Sequence, residues 1–380
     1  MICPSVCPFE ALSAQGEPVE VKLDTEKCEV CGICFSTCPA SAIETIYYNV
    51  DALLNRITAL KRKKGISQLV LTCQGSNTSK EKSATELTKL GVANSLTLSL
   101  PCVGRVPPEL LLKALSLGIE KIDVSLCEDK YCRFKRGSMV GTRRLLLVQT
   151  LLNQLGFKPG TLTVTKKSAK AHIDEQRCIG CGNCSYTCPF DAIKMEALGQ
   201  AHIDLQACSG CGACATVCPV FAVKLEGFEY EAVSESIRKY SSLALRLKRR
   251  GAEPAILVLS CAWGDFDRDS ELNRHVKNAA YVRLPCAGAV DTLHVLEAFY
   301  SGFDGVFIAA CKKGECKLEK GNESAENRIS SLRKLLAQVN LEDRLEMCFV
   351  SPKDVGDVDE RIRLFTEKIG SLTVAEAVRK

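Results

Sequence analysis

Two cysteine runs stand close together near the middle of the chain: Cys178-Ile-Gly-Cys181-Gly-Asn-Cys184-Ser-Tyr-Thr-Cys188-Pro189 and Cys208-Ser-Gly-Cys211-Gly-Ala-Cys214-Ala-Thr-Val-Cys218-Pro219. Both have the spacing C-x2-C-x2-C-x3-C-P, in which three thiolates close around one [4Fe-4S] cluster and the fourth serves the other cluster. We therefore expect one cluster on Cys178, Cys181, Cys184 and Cys218, and a second on Cys208, Cys211, Cys214 and Cys188. Zinc is the alternative, but zinc takes ligands in two separated pairs rather than two interleaved quartets.

The second of these runs has a counterpart near the amino terminus, which indicates a tandem duplication. Cys28-Glu-Val-Cys31-Gly-Ile-Cys34-Phe-Ser-Thr-Cys38-Pro39 matches the run that begins at Cys208, and Cys7-Pro8-Phe9 matches Cys188-Pro189-Phe190. A third complete [4Fe-4S] site is predicted on Cys28, Cys31, Cys34 and Cys7. Cys3 and Cys38 are left as half of a fourth, incomplete site. Its missing ligands would precede Met1, so we expect further coding sequence upstream.

The sequence between and after these runs alternates short apolar stretches with amphipathic ones. In the second copy, apolar stretches at 255–260, 281–285 and 305–310 each end at a cysteine, whereas 292–300 and 329–339 have helical spacing. This alternation predicts a parallel sheet flanked by helices. A fourth apolar stretch, 345–350, contains Cys348, which we expect to pack in the core.

The predicted fold class is therefore α/β and α+β multidomain, a tandem duplication of a ferredoxin-like module plus a parallel-sheet α/β module. The predicted boundaries are 1–48, 49–165, 166–228 and 229–380, with the first ferredoxin module truncated at its amino terminus. Residues 170–227 resemble a bacterial two-cluster ferredoxin, and this resemblance implies electron transfer.

Each predicted α/β module carries its own set of four cysteines at corresponding positions. Parallel sheets bring the carboxyl ends of their strands to one crevice, where ligands bind. We expect one metal centre on Cys261, Cys286, Cys311 and Cys316, and another on Cys73, Cys102, Cys127 and Cys132. The wide spacing favours [2Fe-2S] clusters, up to two in the chain. Another metal, or thiols that only fill the core, are the alternatives.

The sequences around these cysteines resemble a known family. Leu100-Pro101-Cys102-Val103-Gly104-Arg105 and Leu284-Pro285-Cys286-Ala287-Gly288, each followed by C-x4-C, are similar to the iron–sulfur delta subunit of methyl-viologen-reducing hydrogenase. The similarity covers roughly residues 66–165 and 253–372. It implies a domain that passes electrons between a hydrogenase or dehydrogenase and heterodisulfide reductase. The family commonly carries a further cysteine shortly after the first, where this chain has Ser76 and Gly264.

Composition narrows the function classes. The 380 residues carry a formal charge of +5, too mild to indicate nucleic-acid binding. No apolar run approaches the ~18 residues that would indicate a membrane span. The sequence does not start like a secretory signal, so we expect the protein in the cytoplasm, where thiols stay reduced.

No catalytic residue is predicted. The chain has no dinucleotide fingerprint, phosphate loop or nucleophile with an obvious base, and Trp263, Arg105 and His294 are interpreted as core or interface residues. The leading hypothesis is an electron relay between a hydrogenase or dehydrogenase and a flavin-containing heterodisulfide reductase-like subunit. One alternative is the carboxyl-terminal part of a fused flavoprotein of the heterodisulfide reductase A type. Another is a scaffold that holds clusters for delivery.

Overall fold

The computed structural model of the protein describes residues 2–17, 19–76, 94–197, 199–242, 244–245, 254–266, 276, 278–354 and 356–378. The chain divides into two compact units, Met1–Ser168 (unit 1) and Ala169–Lys380 (unit 2). Each unit begins with a small module that carries a cysteine run. Each continues into a larger module built on a parallel sheet.

Unit 1 opens with two short helices and a hairpin, namely α1 (Ile2–Val6), β1 (Leu12–Gln15), β2 (Glu20–Leu23) and α2 (Ile33–Thr37). The larger module follows with α3 (Val50–Lys64), β3 (Gln68–Cys73), β4 (Ser95–Leu100), α4 (Pro108–Ser116), β5 (Lys121–Leu126), α5 (Gly137–Gln154) and β6 (Leu162–Lys166). Its four strands pair in parallel in the order β4-β3-β5-β6.

Local signals account for the helix that joins the two modules of unit 1. The side chain of Asn49 accepts a hydrogen bond from the Ala52 backbone N–H at 2.8 Å, which caps the first turn of α3. Gly65 ends the helix in the left-handed conformation, with φ of 63°. On the core side, Leu53 and Ile57 of α3 pack with Leu69 and Leu71 of β3.

Unit 2 repeats this plan with a four-strand small module, β7 (Ala171–Ile173), α6 (Asn183–Thr187), β8 (Ile193–Met195), β9 (Ala201–Ile203) and β10 (Val223–Leu225). β7 pairs with β10 and β8 with β9, both antiparallel. The larger module contains α7 (Tyr230–Lys239), β11 (Ile256–Cys261), β12 (Ala279–Leu284), α8 (Thr292–Tyr300), β13 (Gly305–Cys311), α9 (Gly321–Leu336), β14 (Leu345–Val350) and α10 (Asp357–Val378). Its parallel sheet has the order β12-β11-β13-β14.

The two parallel sheets differ in what covers one of their faces. In unit 2, α10 packs on that face, and the Phe365 ring lies 5.6 Å from the Phe307 ring of β13. The corresponding face of unit 1 carries a polar network, in which Gln68 and Thr163 both donate hydrogen bonds to the Asp123 carboxylate. Apolar residues therefore face the covering helix in unit 2, and polar residues occupy that face in the described part of unit 1.

The predicted fold class is confirmed. The expected strands are present with shifts of one or two residues at some ends, and the stretch predicted as a helix at 329–339 is the end of the longer α9 followed by a short 3-10 turn, Ala337–Val339. Cys348 lies buried in β14 among the residues that pack against α10, as expected.

Candidate metal centres

The cysteines of the small module in unit 2 line two separate cavities. One is walled by Cys178, Cys181, Cys184 and Cys218, together with the backbone turns of residues 179–182, and has about 310 Å³ free of protein atoms, which includes solvent at its mouth. The other is walled by Cys188, Cys208, Cys211 and Cys214 and has about 280 Å³, counted in the same way. Each cavity thus receives three cysteines from one run and the fourth from the other run.

The walls of these cavities suit a negatively charged group held by thiolates. The backbone N–H of Ala222 donates to Cys218 Sγ at 3.2 Å, and that of Ala171 donates to Cys208 Sγ at 3.4 Å. Such donors stabilise a sulfur that carries negative charge. Burial raises the pKa of the Cys214 and Cys184 thiols, so these sites favour thiolates only when a cation is bound.

The small module of unit 1 brings four of its six cysteines together. Burial raises the pKa of Cys31 to about 12, and the neighbouring Cys34 and Cys7 act in the same direction. Burial likewise raises the pKa of Cys34, with Cys28 and Cys7 adding to the shift. Cys7, Cys28, Cys31 and Cys34 therefore lie within electrostatic reach of one another.

The other two cysteines of this module lie at the ends of its short helices. Cys3 is on α1, and Cys38 follows α2 and accepts a hydrogen bond from the Ala42 N–H at 3.3 Å. Both are partly exposed.

The carboxyl end of the parallel sheet in unit 2 gathers four thiols into a chain. Cys261 Sγ lies 3.3 Å from Cys311 Sγ. Cys286 lies within hydrogen-bonding reach of both Cys261 and Cys316. Cys261 and Cys311 end β11 and β13, and Cys286 follows β12 by two residues. The sheet edge therefore places all four predicted residues at one location.

Unit 1 repeats this arrangement of thiol contacts. Cys73 lies within hydrogen-bonding reach of Cys102 and Cys127, and Cys102 also reaches Cys132. Backbone N–H groups surround the sulfurs: Val103 donates to Cys73 at 3.1 Å, and Ser138 donates to Cys132 at 3.2 Å.

Hydrogen bonds between the thiols of each quartet lower the pKa of some of these thiols and raise the pKa of others. A hydrogen bond from Cys286 lowers the pKa of Cys316 to about 6, and one from Cys102 lowers the pKa of Cys132 to about 7. Hydrogen bonding with Cys261 raises the pKa of Cys311, and burial adds to the shift. In the described residues, no three His, Cys, Asp or Glu side chains have the arrangement that holds a single metal ion. The quartets offer four thiols each, which is the donor set of iron–sulfur clusters.

A junction of matching contacts joins the small and large modules within each unit. In unit 1, the Ser36 hydroxyl and the Arg144 guanidinium donate to the Gly104 carbonyl at 2.9 and 2.8 Å. In unit 2, Thr216 and Arg328 donate to the Gly288 carbonyl at 3.4 and 2.8 Å. The sequence reasoning missed this junction. Its signal was the recurrence of Arg144 and Arg328 at corresponding positions of the two copies.

Close backbone approach brings this junction to the sulfurs. A Cβ on Gly137, the first residue of α5, would lie 2.5 Å from Cys102 Sγ, 3.5 Å from Cys132 Sγ and 3.4 Å from the Ile33 side chain of the small module. A Cβ on Gly321, the first residue of α9, would overlap Cys286 Sγ. Only glycine allows both helices to start against the thiols.

Sequence families match both kinds of module. The family described as methyl-viologen-reducing hydrogenase, delta subunit, matches residues 69–188 and 256–373. A 4Fe-4S dicluster domain matches residues 171–225, and a 4Fe-4S binding domain matches residues 21–44. The recognition of ferredoxin modules and delta-subunit-like modules is confirmed, and the chain is an iron–sulfur electron-transfer protein.

Named relatives fall into two groups. The vhu iron-sulfur subunit of the F420-non-reducing hydrogenase of Methanococcus maripaludis is 32% identical over 126 residues, which cover 32% of this chain and 94% of the relative. Its namesake in Methanocaldococcus jannaschii is 36% identical over 125 residues, which are 32% of this chain and 93% of that relative. One subunit of the ferredoxin/F(420)H(2)-dependent CoB-CoM heterodisulfide reductase of Methanosarcina acetivorans is 32% identical over 264 residues, which are 68% of this chain but only 30% of that relative.

None of the helices in the described parts of the chain combines the length and apolar composition needed to cross a lipid bilayer.

Proposed function

Because the chain belongs to the methyl-viologen-reducing hydrogenase delta subunit family, we propose that it relays single electrons between a hydrogenase or dehydrogenase and a flavin-containing heterodisulfide reductase-like subunit. The named relatives come from a hydrogenase and a heterodisulfide reductase, and a 264-residue stretch of this chain resembles the latter. We also place the protein in the cytoplasm, where its many free thiols remain reduced.

The cluster assignment is part of this proposal. Three [4Fe-4S] clusters would be held by the two quartets of the unit 2 small module and by Cys28, Cys31, Cys34 and Cys7. Up to two [2Fe-2S] clusters would be held by the quartets at the sheet edges, Cys73, Cys102, Cys127 and Cys132, and Cys261, Cys286, Cys311 and Cys316. Cys3 and Cys38 would contribute to a fourth, incomplete [4Fe-4S] site. Such clusters accept and release one electron at a time.

The observation that carries the proposal is the junction within each unit. It seats α2 of the small module of unit 1 on the first turn of α5, where Gly137 borders both the Ile33 side chain and the sulfurs of Cys102 and Cys132. Thr216 and Arg328 hold the corresponding carbonyl in unit 2. Contact of this kind supports a relay, because Ile33 lies between Cys31 and Cys34 in the sequence and its side chain reaches the residue that borders Cys102 and Cys132.

Anaerobic purification followed by iron and zinc analysis tests the cluster assignment. Three [4Fe-4S] and two [2Fe-2S] clusters predict about 16 iron atoms per chain, with thiolate-to-iron absorption that bleaches on reduction. Stoichiometric zinc with little iron would contradict the proposal.

A pair of variants tests the sheet-edge sites. Cys311→Ala should remove a rhombic [2Fe-2S] electron paramagnetic resonance signal and leave the [4Fe-4S] signals. Cys348→Ala is the matched control, because Cys348 is also a buried cysteine of the same sheet but lies in the core that packs against α10. If Cys311→Ala leaves the signal unchanged, the assignment is wrong.

A second candidate function follows from the match to the heterodisulfide reductase relative. That match covers 68% of this chain and 30% of the relative, so the chain resembles a part of a larger protein. In this candidate, the chain acts as the electron outlet of a fused flavoprotein. Stopped-flow mixing of the holoprotein with a separately purified, reduced flavoprotein of this type distinguishes the two candidates. A separate relay should oxidise the flavoprotein that it meets in solution, whereas the electron outlet of a fused flavoprotein should not.

A further inference from the structure

Arg105 is a fully buried cation at the junction of unit 1. Arg105 is 2% exposed, and its guanidinium lies against Gly32. A Cβ added to Gly32 would come within 3.0 Å of Arg105 Nε and 3.1 Å of Arg105 Cζ. Gly32 sits between Cys31 and Cys34 in the cysteine run, and Arg105 itself follows Cys102 by three residues. The guanidinium therefore lies within electrostatic reach of thiols from both the small module and the sheet edge, namely Cys31, Cys34 and Cys102.

The hydrogen bonds of this guanidinium are incomplete. One Nη2–H donates to the Tyr47 carbonyl, and Cζ lies 5.5 Å from the centre of the Tyr48 ring. Nε and Nη1 are buried without a hydrogen-bond partner. Burial lowers the pKa of Arg105, whereas Tyr48 and the thiols of Cys31, Cys102 and Cys34 act in the opposite direction. An arginine stays charged in proteins, so this buried charge needs negative neighbours, and the nearby cysteines would provide them as thiolates bound to a cluster.

Unit 2 provides a built-in comparison because it lacks a cation at this position of the junction. Its own sheet edge carries a different, partly buried arginine, Arg283, which donates to the Ala262 carbonyl where unit 1 has Ser99. The residue that corresponds to Arg105 is Ala289, whose Cβ lies 2.8 Å from the Cβ position of Gly212, the counterpart of Gly32. The other cation of the junction is partly buried and is present in both units, as Arg144 and Arg328.

The hydrogen bonds to the sheet-edge sulfurs are matched between the units. Gly104 N–H donates to Cys102 Sγ at 3.3 Å, and Gly288 N–H donates to Cys286 Sγ at 3.4 Å. The last cysteine of each quartet also has a matching donor, since the Ser138 N–H donates to Cys132 in unit 1 and the Asn322 N–H donates to Cys316 in unit 2. Differences in hydrogen bonding to these sulfurs are therefore small.

A second charge difference acts in the same direction. Unit 2 carries a buried carboxylate, Asp291, which offsets the effect of burial on the pKa of Arg328. Unit 1 has Pro107 at that position. The junction of unit 1 thus holds the buried Arg105, the partly buried Arg144 and no counterpart of this acid, whereas that of unit 2 holds the partly buried Arg328 beside an acid.

We propose that Arg105 makes the metal centres of unit 1 easier to reduce than their counterparts in unit 2. Reduction adds one electron, and hence one negative charge, to a thiolate-bound centre. A fixed positive charge nearby stabilises the reduced form more than the oxidised form, which raises the reduction potential. The two copies of the unit then hold electrons at different potentials, and unit 1 is the more oxidising half. This inference rests on the proposed iron–sulfur function.

The test is a dithionite titration of the anaerobic holoprotein, followed by electron paramagnetic resonance. Cys127→Ala and Cys311→Ala each remove one sheet-edge centre and so assign the two signals. We expect the unit 1 centre to have the higher potential in the unmodified protein. Arg105→Gln should lower the reduction potential of the unit 1 centre by at least about 59 mV, which is a tenfold decrease in the equilibrium constant for one-electron reduction. Arg105→Lys, which keeps the charge, should shift it by less than half as much, and the unit 2 centre should not move.

Three results would overturn the inference: equal potentials for the two sheet-edge centres, no shift in Arg105→Gln, or equal shifts in Arg105→Gln and Arg105→Lys. If Arg105→Gln fails to hold iron, the unmodified protein and Arg105→Lys still decide the question. Iron analysis of the unmodified protein separates the two claims, because a protein without iron contradicts the proposed function, whereas an iron-loaded protein with equal potentials contradicts only the role of Arg105.

Discussion

Gly137→Ala should remove the sheet-edge centre of unit 1 while leaving the fold of the chain in place. The added Cβ would lie 2.5 Å from Cys102 Sγ, whereas ordinary contacts of such an atom begin at 3.4 Å. The sulfur or the helix must therefore move by about 0.9 Å, and metal–ligand distances tolerate only ~0.2 Å. Cys102 is 1% exposed, so its side chain is enclosed by other residues of the protein.

The expected result is a loss of about two iron atoms per chain, together with the electron paramagnetic resonance signal of that centre. The [4Fe-4S] signals should persist, because the small modules have their own cysteine sites. Crowding of this kind lowers the free energy of unfolding by about 1–3 kcal/mol, which thermal unfolding of the variant should detect.

Two further variants serve as a parallel test and as a control for Gly137→Ala. Gly321→Ala should remove the centre of unit 2 in the same way, since its Cβ would overlap Cys286 Sγ. Gly370→Ala on α10 is the control, because the nearest atom to its Cβ would be 3.9 Å away, on Pro254. If Gly137→Ala keeps its full iron content and an unchanged signal, the packing argument is wrong.

Three other predictions concern the modules and their junction. Cys188→Ala should damage the cluster assigned to Cys208, Cys211 and Cys214 and spare the other cluster of that module; iron counting with Mössbauer spectroscopy checks this, and loss of the other cluster would refute the crossed arrangement. Arg328→Met removes charged hydrogen bonds to the Val290 and Gly288 carbonyls and should lower the free energy of unfolding of unit 2 by about 1.5–3 kcal/mol in urea titrations; an unchanged midpoint would contradict it. Removal of iron with a chelator should expose the small module to hydrogen exchange before the parallel sheet, since cysteines form part of its core; equal protection of both modules would argue against this.

Much of the architecture could be predicted because its signals are local. The C-x2-C-x2-C spacing brings three thiols together within a short stretch of chain, and a cysteine at the end of an apolar strand reports the sheet edge directly. The structure accordingly gathers Cys261, Cys286, Cys311 and Cys316 at the carboxyl ends of the strands, where the pattern predicts them.

The remaining features depend on residues that are distant in sequence. Nothing near Arg144 in the sequence indicates that its guanidinium binds the Gly104 carbonyl beside Ser36. Arg105, interpreted from the sequence as a core or interface residue, is indeed buried, but its contact with Gly32 of the small module joins residues too distant in sequence to be predicted. The covering of one sheet face by α10 was also missed, although the change from Gln68 and Asp123 to Ile256 and Phe307 carries that information.

The junction within each unit joins two parts of one covalent chain, and this changes how strong its contacts must be. In unit 2, the last strand of the small module ends at Leu225, and α7 of the large module begins at Tyr230. Such a short tether gives an effective concentration on the order of millimolar for the docked pair. The hydrogen bond from Thr216 to the Gly288 carbonyl and the close approach of Ala289 to Gly212 then keep the small module seated. Dilution of the protein would not separate the two modules, whereas the same contacts between independent proteins would support only a brief encounter.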